Sequence, residues 1–435
     1  QTRFLAFHVA LPGLANRALF ESRLDHLIAS HRDAGGGLAL HFVDIDRFKS
    51  VNDTFGHPAG DELIRLTAAR LMELVRSEDV VARLGGDEFA IIQAHAGSEA
   101  DARALAERIV ATMARPYEIF GKMVHSSGSI GTLFSLPDAH ASRTDLLRQA
   151  DVALYEAKVA GRGRYALFAE QMDARVRDRR QLEDDLRLAL EMGAQIAVDY
   201  QPLFGVDGET MLGAEALVRW DHPTRGRLPP EAFLHVVEEN ALSTELGEVV
   251  LHDATLFAAE AKLPFIAVNI SPAHFRAPDF AGRVLRILNE TGLPANRLEL
   301  EITESALIDR RETLGNTIGR LRAAGVRIVL DDFGTGYCSM GYLRRYALDK
   351  LKIDRSFIAE LGTSNDAEAI IRAMVQLARS MGLGVTAEGV ETEEQRQRLV
   401  SLGCGEMQGF LLGSPMSRGQ MLLATQQAIV NKLRA

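Results

Sequence analysis

Two α/β domains in tandem are what the sequence predicts: a compact sandwich of helices on one sheet, followed by a TIM-barrel-like (β/α)8 domain. Three observations carry this. The chain has 435 residues, more than one hydrophobic core usually organises. Its first half mixes strand and helix patterns around a Gly-Gly hairpin. Its second half alternates strand and helix regularly, with a polar residue near the end of strand after strand.

In chain order, Leu38 to Val43 reads as a strand, and Ile64, Ala68, Leu71 and Val75 recur at helical spacing. Val80 to Leu84 and Phe89 to Ile92 flank Gly85-Gly86, so Asp87 and Glu88 sit on a tight hairpin, where glycine suits a positive φ. A helix (Glu99 to Met113), a strand (Ser129 to Phe134), a helix (Arg143 to Val159) and a strand (Arg164 to Phe168) complete a domain over residues 1–168. Residues 169–180, rich in Arg and Asp, read as a helical connector to a second domain over 181–435. There, strands are expected at Val198–Leu203, Met211–Val218, Phe265–Asn269, Leu298–Glu301, Val326–Asp331, Lys350–Ile353, Val385–Glu388 and Met407–Phe410. Alternation with helices implies parallel pairing, and eight strands suffice for a barrel, although the same rhythm also fits an open doubly wound sheet.

A formal charge of −10 speaks against a protein that coats nucleic acid polymers or anionic membrane. Only Cys338 and Cys404 occur, so no disulfide framework and no zinc spacing is present, which fits the cytoplasm. No apolar run approaches the roughly 20 residues that span a bilayer. The chain starts at Gln1 without an initiator Met, and a sensor region ahead of it is expected.

Asn269, Glu301, Asp331, Lys352, Glu388 and Gln408 fall at or near the C-terminal ends of separate expected strands, the face where barrels carry active sites, and Glu215 on the expected strand Met211–Val218 joins the series. Any one of them is an ordinary loop or cap residue; the series is not. Oxygen ligands of this kind suit Mg²⁺ or Mn²⁺, and the adjacent Asp331 and Asp332 call for a cation or a proton between them. Two metals would clamp the oxygens of a phosphodiester hydrolysis, with Lys352 orienting the water.

Glu215-Ala216-Leu217-Val218-Arg219 resembles the signature of the EAL family of cyclic di-GMP phosphodiesterases. Asn269-Ile270-Ser271, Glu301-Ile302-Thr303-Glu304, Asp331-Asp332-Phe333-Gly334-Thr335-Gly336, Lys352-Ile353-Asp354, Glu388-Gly389-Val390-Glu391 and Gln408-Gly409-Phe410 match its further motifs in order. The resemblance implies hydrolysis of cyclic di-GMP to pGpG, with Glu215, Asn269, Glu301, Asp331 and Asp332 around two metals. It implies that Lys352 and Glu388 position the water, that Gln408 supports the cluster, and that Gln201 and Arg219 touch substrate. Glu304 matches a residue that braces the loop after Asp332, where Cys338 and Met340 replace the commoner Ser and Leu.

In the first domain, Asp44 at a strand end and Asp87 on the hairpin can share Mg²⁺ on a triphosphate. Lys49, Lys158 and Arg162 counter phosphate charge, and Asn52 and Asp61 suit the polar edge of guanine. Gly85-Gly86-Asp87-Glu88-Phe89 resembles the signature of the GGDEF family of diguanylate cyclases, and the flanking Asp44-Ile45-Asp46-Arg47-Phe48-Lys49 and Asn52-Asp53-Thr54-Phe55-Gly56-His57 are similar to it too. Glu88 is then expected to assist at the attacking 3′-hydroxyl, and Arg76 and Asp79 match an inhibitory product site. Cyclisation of two GTP molecules would need a homodimer. Two alternatives stand beside a bifunctional enzyme: a GGDEF half that only binds GTP to regulate the phosphodiesterase, and a catalytically inactive cyclic di-GMP receptor.

Overall fold

The computed structural model describes residues 14–34, 37–136, 142–239, 242–307, 312–334, 343, 345–362 and 365–434. Cys338 and Met340 lie outside them. Two compact units meet between Arg180 and Gln181. The helix Glu170–Met192 runs through that boundary, further than the connector expected from sequence.

The first unit contains β1 (Leu38–Ile45), β2 (Val80–Gly85), β3 (Glu88–Gln93), β4 (Tyr117–Ile119), β5 (Lys122–Val124), β6 (Gly128–Ser135) and β7 (Tyr165–Leu167). Five of them form a sheet in the order β2-β3-β1-β6-β7, with β1 antiparallel to both β3 and β6. Its two faces bury separate sets of residues, as strand alternation requires. Val43, Phe89, Ile91 and Ile130 pack with Leu63, Leu71, Leu105 and Ile109. Leu38, Leu40, Ile92 and Leu133 pack with Phe20, Leu24 and Leu146. Ser98 and Ser142 cap the helices Glu99–Met113 and Arg143–Val159 by accepting the Asp101 and Asp145 N–H groups. The β4–β5 hairpin and the helices Arg17–Ala34 and Phe48–Phe55 were not foreseen.

The second unit adds β8 (Ile196–Gly205), β9 (Met211–His222), β10 (Gly226–Leu228), β11 (Ile266–Ile270), β12 (Leu298–Thr303), β13 (Arg327–Phe333), β14 (Lys350–Ile353), β15 (Gly384–Ala387) and β16 (Glu406–Met407). The order β9-β11-β12-β13-β14-β15-β16-β8 closes through a β8–β9 pairing into an eight-stranded barrel, and β10 extends β9. The open-sheet alternative is thereby excluded. One strand departs from the all-parallel expectation: β8 runs antiparallel to both β9 and β16. The segment between β8 and β9 is too short for the dozen or more residues that a parallel crossover needs. The expected strand Met407–Phe410 is reduced to Glu406–Met407. Among the described residues no helix is long and apolar enough to cross a membrane.

Candidate active sites

The barrel strands bring the polar series to one mouth because side chains two apart share a face. Cα pairing places Gln201 opposite Glu215, Asn269 opposite Glu301, and Lys352 opposite Thr386, two residues before Glu388. Lys352 lies at the centre, 1% exposed. Its Nζ is 2.7 Å from Glu301 Oε2, 2.6 Å from Glu388 Oε1, 3.4 Å from Glu215 Oε2 and 3.6 Å from Asp331 Oδ1. Asn269 Nδ2 donates to Glu215 Oε1 at 2.6 Å. Gln408 Nε2 donates to Glu215 Oε2 and Gln201 Oε1, both at 2.8 Å, and Gln201 Nε2 donates to the Gly413 carbonyl at 3.0 Å.

Regular alternation would send Asp331 and Asp332 to opposite faces. A register shift between Leu330 and Phe333 breaks the alternation, and Asp332 adopts φ 54°, a left-handed conformation uncommon for a non-glycine residue. Carboxylate oxygens of Asp331, Asp332 and Glu388 consequently lie within 4.8 Å of one another. Just beyond, the Gly334 N–H donates to Glu304 Oε1 at 3.2 Å, tying the start of the following segment to the strand end that carries Glu301.

The charges do not balance. Glu215, Glu301, Asp331, Asp332 and Glu388 surround one ammonium, and with all five ionised the excess of four negative charges would equal the charge of two divalent cations. Burial pushes Glu301 well above the usual carboxylate range, only partly offset by Lys352. Burial likewise lifts Glu388 to about 7 against the Lys352 charge, and burial with the Asp331 charge lifts Asp332. Burial also works against ionised Glu215, but Lys352 and the Gln408 and Asn269 hydrogen bonds outweigh it and hold this carboxyl low. The acids hold Lys352 well above its ordinary value in spite of its burial. Gln408 Oε1 is buried without a hydrogen-bond partner. An all-oxygen donor set with surplus negative charge and an orphaned acceptor fits hard divalent cations.

Arg219 is anchored rather than loose. Its Nε is 2.9 Å from Asp199 Oδ2, and Nη1 donates to the Val218 carbonyl at 2.8 Å. Asp199 also takes Arg227 at 2.6 Å. Neither Asp199 nor Arg227 carried any motif signal, because ion pairs across the neighbouring strands β8, β9 and β10 leave none.

In the first unit, Asp44 pairs with Glu88 across β1 and β3, and Lys158 Nζ donates to Asp44 Oδ2 at 2.6 Å. Burial raises the Asp44 carboxyl, Lys158 opposes it, and the Asp87 and Asp46 charges add to the rise. Gly86, with φ 52°, makes the hairpin turn, and Arg83 clamps its carbonyl at 3.0 and 2.7 Å. Asn52 and Asp61 lie on the consecutive helices Phe48–Phe55 and His57–Leu74, and Asn52 Oδ1 is a buried acceptor without a partner. Lys49 and Arg162 are exposed. Asp46, to which the sequence reading assigned no role, accepts Ser127 and Ser129 hydroxyls at 2.6 Å and the Gly163 N–H at 3.0 Å, so it fastens the turn bearing Arg162 to the end of β1. Arg76 is exposed, while the Asp79 carboxylate accepts the Arg76 and Ala94 N–H groups, each at 2.9 Å.

The chain is similar to known proteins over nearly all its length. The EAL domain family profile matches residues 183–415, and that of the diguanylate cyclase GGDEF domain matches residues 6–164. An uncharacterized signaling protein of Caulobacter vibrioides is 44% identical over 95% of this chain and 51% of its own length. The bifunctional diguanylate cyclase/cyclic di-GMP phosphodiesterase MucR of Pseudomonas aeruginosa is 41% identical over 96% of this chain and 61% of its own. The chain thus spans about half the length of the curated relatives it matches. Among solved structures, the PaMucR phosphodiesterase in its c-di-GMP complex aligns with TM-score 0.53 and 41% identity, covering 55% of this chain and 99% of that one. The Vibrio cholerae LapD S helix-GGDEF-EAL structure, 21% identical, aligns with TM-score 0.62 over 95% of this chain and 97% of that one, a likeness of fold.

Proposed function

The chain belongs to the EAL domain family, with a diguanylate cyclase GGDEF domain ahead of the EAL domain, and from that premise we propose that its barrel hydrolyses cyclic di-GMP to pGpG. The observation that carries the reading is the buried Lys352 ammonium ringed by carboxylates, with Asp332 turned into the same mouth by a bulge. Glu215, Asn269, Glu301, Asp331 and Asp332 would hold two divalent cations. When bound, Mg²⁺ or Mn²⁺ supplies Lewis-acid activation of water and phosphate. Glu388, lifted to about 7, accepts a proton from the attacking water at its carboxylate, while its contact with Lys352 fixes where that oxygen stands. Arg219, braced by Asp199, offers its free guanidinium edge to a phosphate, and Gln201 and Gln408 frame the bound dinucleotide. Glu304 braces the segment after Asp332.

The test is chromatographic analysis of nucleotides formed from cyclic di-GMP with Mg²⁺ or Mn²⁺. Glu215→Ala should abolish pGpG formation and leave the fold intact; unchanged turnover would remove this site from the reaction. An inactive receptor is disfavoured because every metal-site acid is present and they converge.

The GGDEF half has the residues to bind GTP: Asn52 and Asp61 for guanine, Lys49, Lys158 and Arg162 for phosphates, Asp44 and Asp87 for Mg²⁺, Glu88 at the 3′-hydroxyl. Arg76 and Asp79 would grip product. Cyclase activity needs a homodimer, and regulation of the barrel by GTP is the competing reading. Adding GTP to the hydrolysis assay separates them: new cyclic di-GMP supports synthesis, and faster hydrolysis without new product supports regulation.

A further inference from the structure

Beneath the mouth lies a second buried charge layer that the hydrolysis leaves unused. Lys350 is 5% exposed, and its Nζ donates to Glu299 Oε1 and Oε2 at 3.0 and 2.9 Å and to Glu406 Oε2 at 2.5 Å. Arg327 Nη1 reaches Glu299 Oε1 at 3.0 Å, and Thr386 Oγ1 donates to Glu406 at 3.1 Å. The Phe265 ring closes one side, 4.6 Å from Lys350 Nζ and 5.0 Å from the Arg327 guanidinium. Two acids face two bases, so this layer, unlike the mouth, calls for no cation.

Four of the members stand two residues before a mouth residue: Glu299 before Glu301 in β12, Lys350 before Lys352 in β14, and Thr386 and Glu406 before Glu388 and Gln408, which directly follow β15 and β16. Within β12 and β14 the two residues share a face of the strand, and a slip of one residue would turn both away from the barrel axis. A buried ion pair adds little stability over apolar residues of similar size, and its attested use is to specify register.

We propose that Lys350, Glu299 and Glu406 are positioning residues for the phosphodiesterase site. By locking β12, β14 and β16 in one register they hold Lys352 Nζ between Glu301, Glu215 and Glu388. The inference rests on the hydrolase reading.

The test is the variant Glu299→Gln/Arg327→Met/Lys350→Met/Glu406→Gln in the full chain, which neutralises both acids and both bases of the layer and strands no charge. With cyclic di-GMP and Mn²⁺, kcat should fall about 10- to 100-fold while KM stays within about twofold, because misplacement of about 1 Å is costly to chemistry. Thermal unfolding should remain cooperative, and the lysine-selective NMR signal of the Lys352 ammonium should shift. A parental kcat together with an unmoved Lys352 signal would overturn the proposal. So would a variant that fails to fold, since the layer would then be a stability device. A parent chain that hydrolyses nothing sinks the hydrolase reading instead, and the Lys352 signal still decides whether the layer positions that side chain.

Discussion

Asp332 combines a demanding backbone with a demanding side chain. At φ 54° an L-residue with a Cβ is strained, and asparagine and glycine tolerate that region best. Asp332→Asn should therefore unfold in urea at nearly the parental midpoint. Asp332→Ala should be less stable than Asp332→Gly by about 1 kcal/mol, and all three should lose hydrolysis with the carboxylate. Equal stability of the Ala and Gly variants would show that the conformation stores no strain. Sequence identified Asp331 and Asp332 as like charges in need of a partner, yet alternation alone would have parted them. The bulge that unites them is a tertiary event without a local sequence mark.

At the scale of elements, the helix Arg143–Val159 is seated on β6 by a single small residue. A Cβ on Gly131 would lie 2.1 Å from the Leu154 nitrogen and 2.2 Å from the Ala150 oxygen, both main-chain atoms that cannot step aside. That close approach carries Lys158 to Asp44. Gly131→Ala should push the helix outward, cost about 1–3 kcal/mol by overpacking, and weaken GTP binding measured calorimetrically. Unchanged GTP affinity would mean that Lys158 does not depend on this seat. The helices Glu99–Met113 and Arg143–Val159 were expected from the sequence with the bounds they have. The β4–β5 hairpin was not, because three-residue strands offer too little alternation to stand out.

For the whole molecule, each unit buries a histidine held neutral, which weakens stability toward acid pH. Burial pushes His41 down to about 4, with the Gln93 hydrogen bond opposing, and burial pushes His274 down to about 4, where Glu248 opposes and Arg283 adds. Both would titrate near 6.5 in the unfolded chain. Between these values the unfolded state's histidines bind more protons, so the histidine contribution to stability is complete above about pH 6.5 and is lost as pH falls toward 4. For fully buried His41 the loss approaches about 3 kcal/mol. Urea unfolding at pH 7 and pH 5 should show it, and His41→Gln should flatten the slope for the first unit. An identical slope in that variant would mean that His41 does not contribute.

The amino-acid sequence by itself determined the two-domain α/β plan, the order of strands and helices, and the identity of the polar residues at strand ends. These depend on periodicity and motif spacing, which are local properties of the chain. The short segment between β8 and β9 already dictates that β8 runs against β9, but only the tertiary structure decided that Asp332 turns inward, that Asp199 and Arg227 brace Arg219, and that a balanced ion layer underlies the mouth. Those features arise from contacts between residues on different strands, whose energies exist only once the barrel has closed.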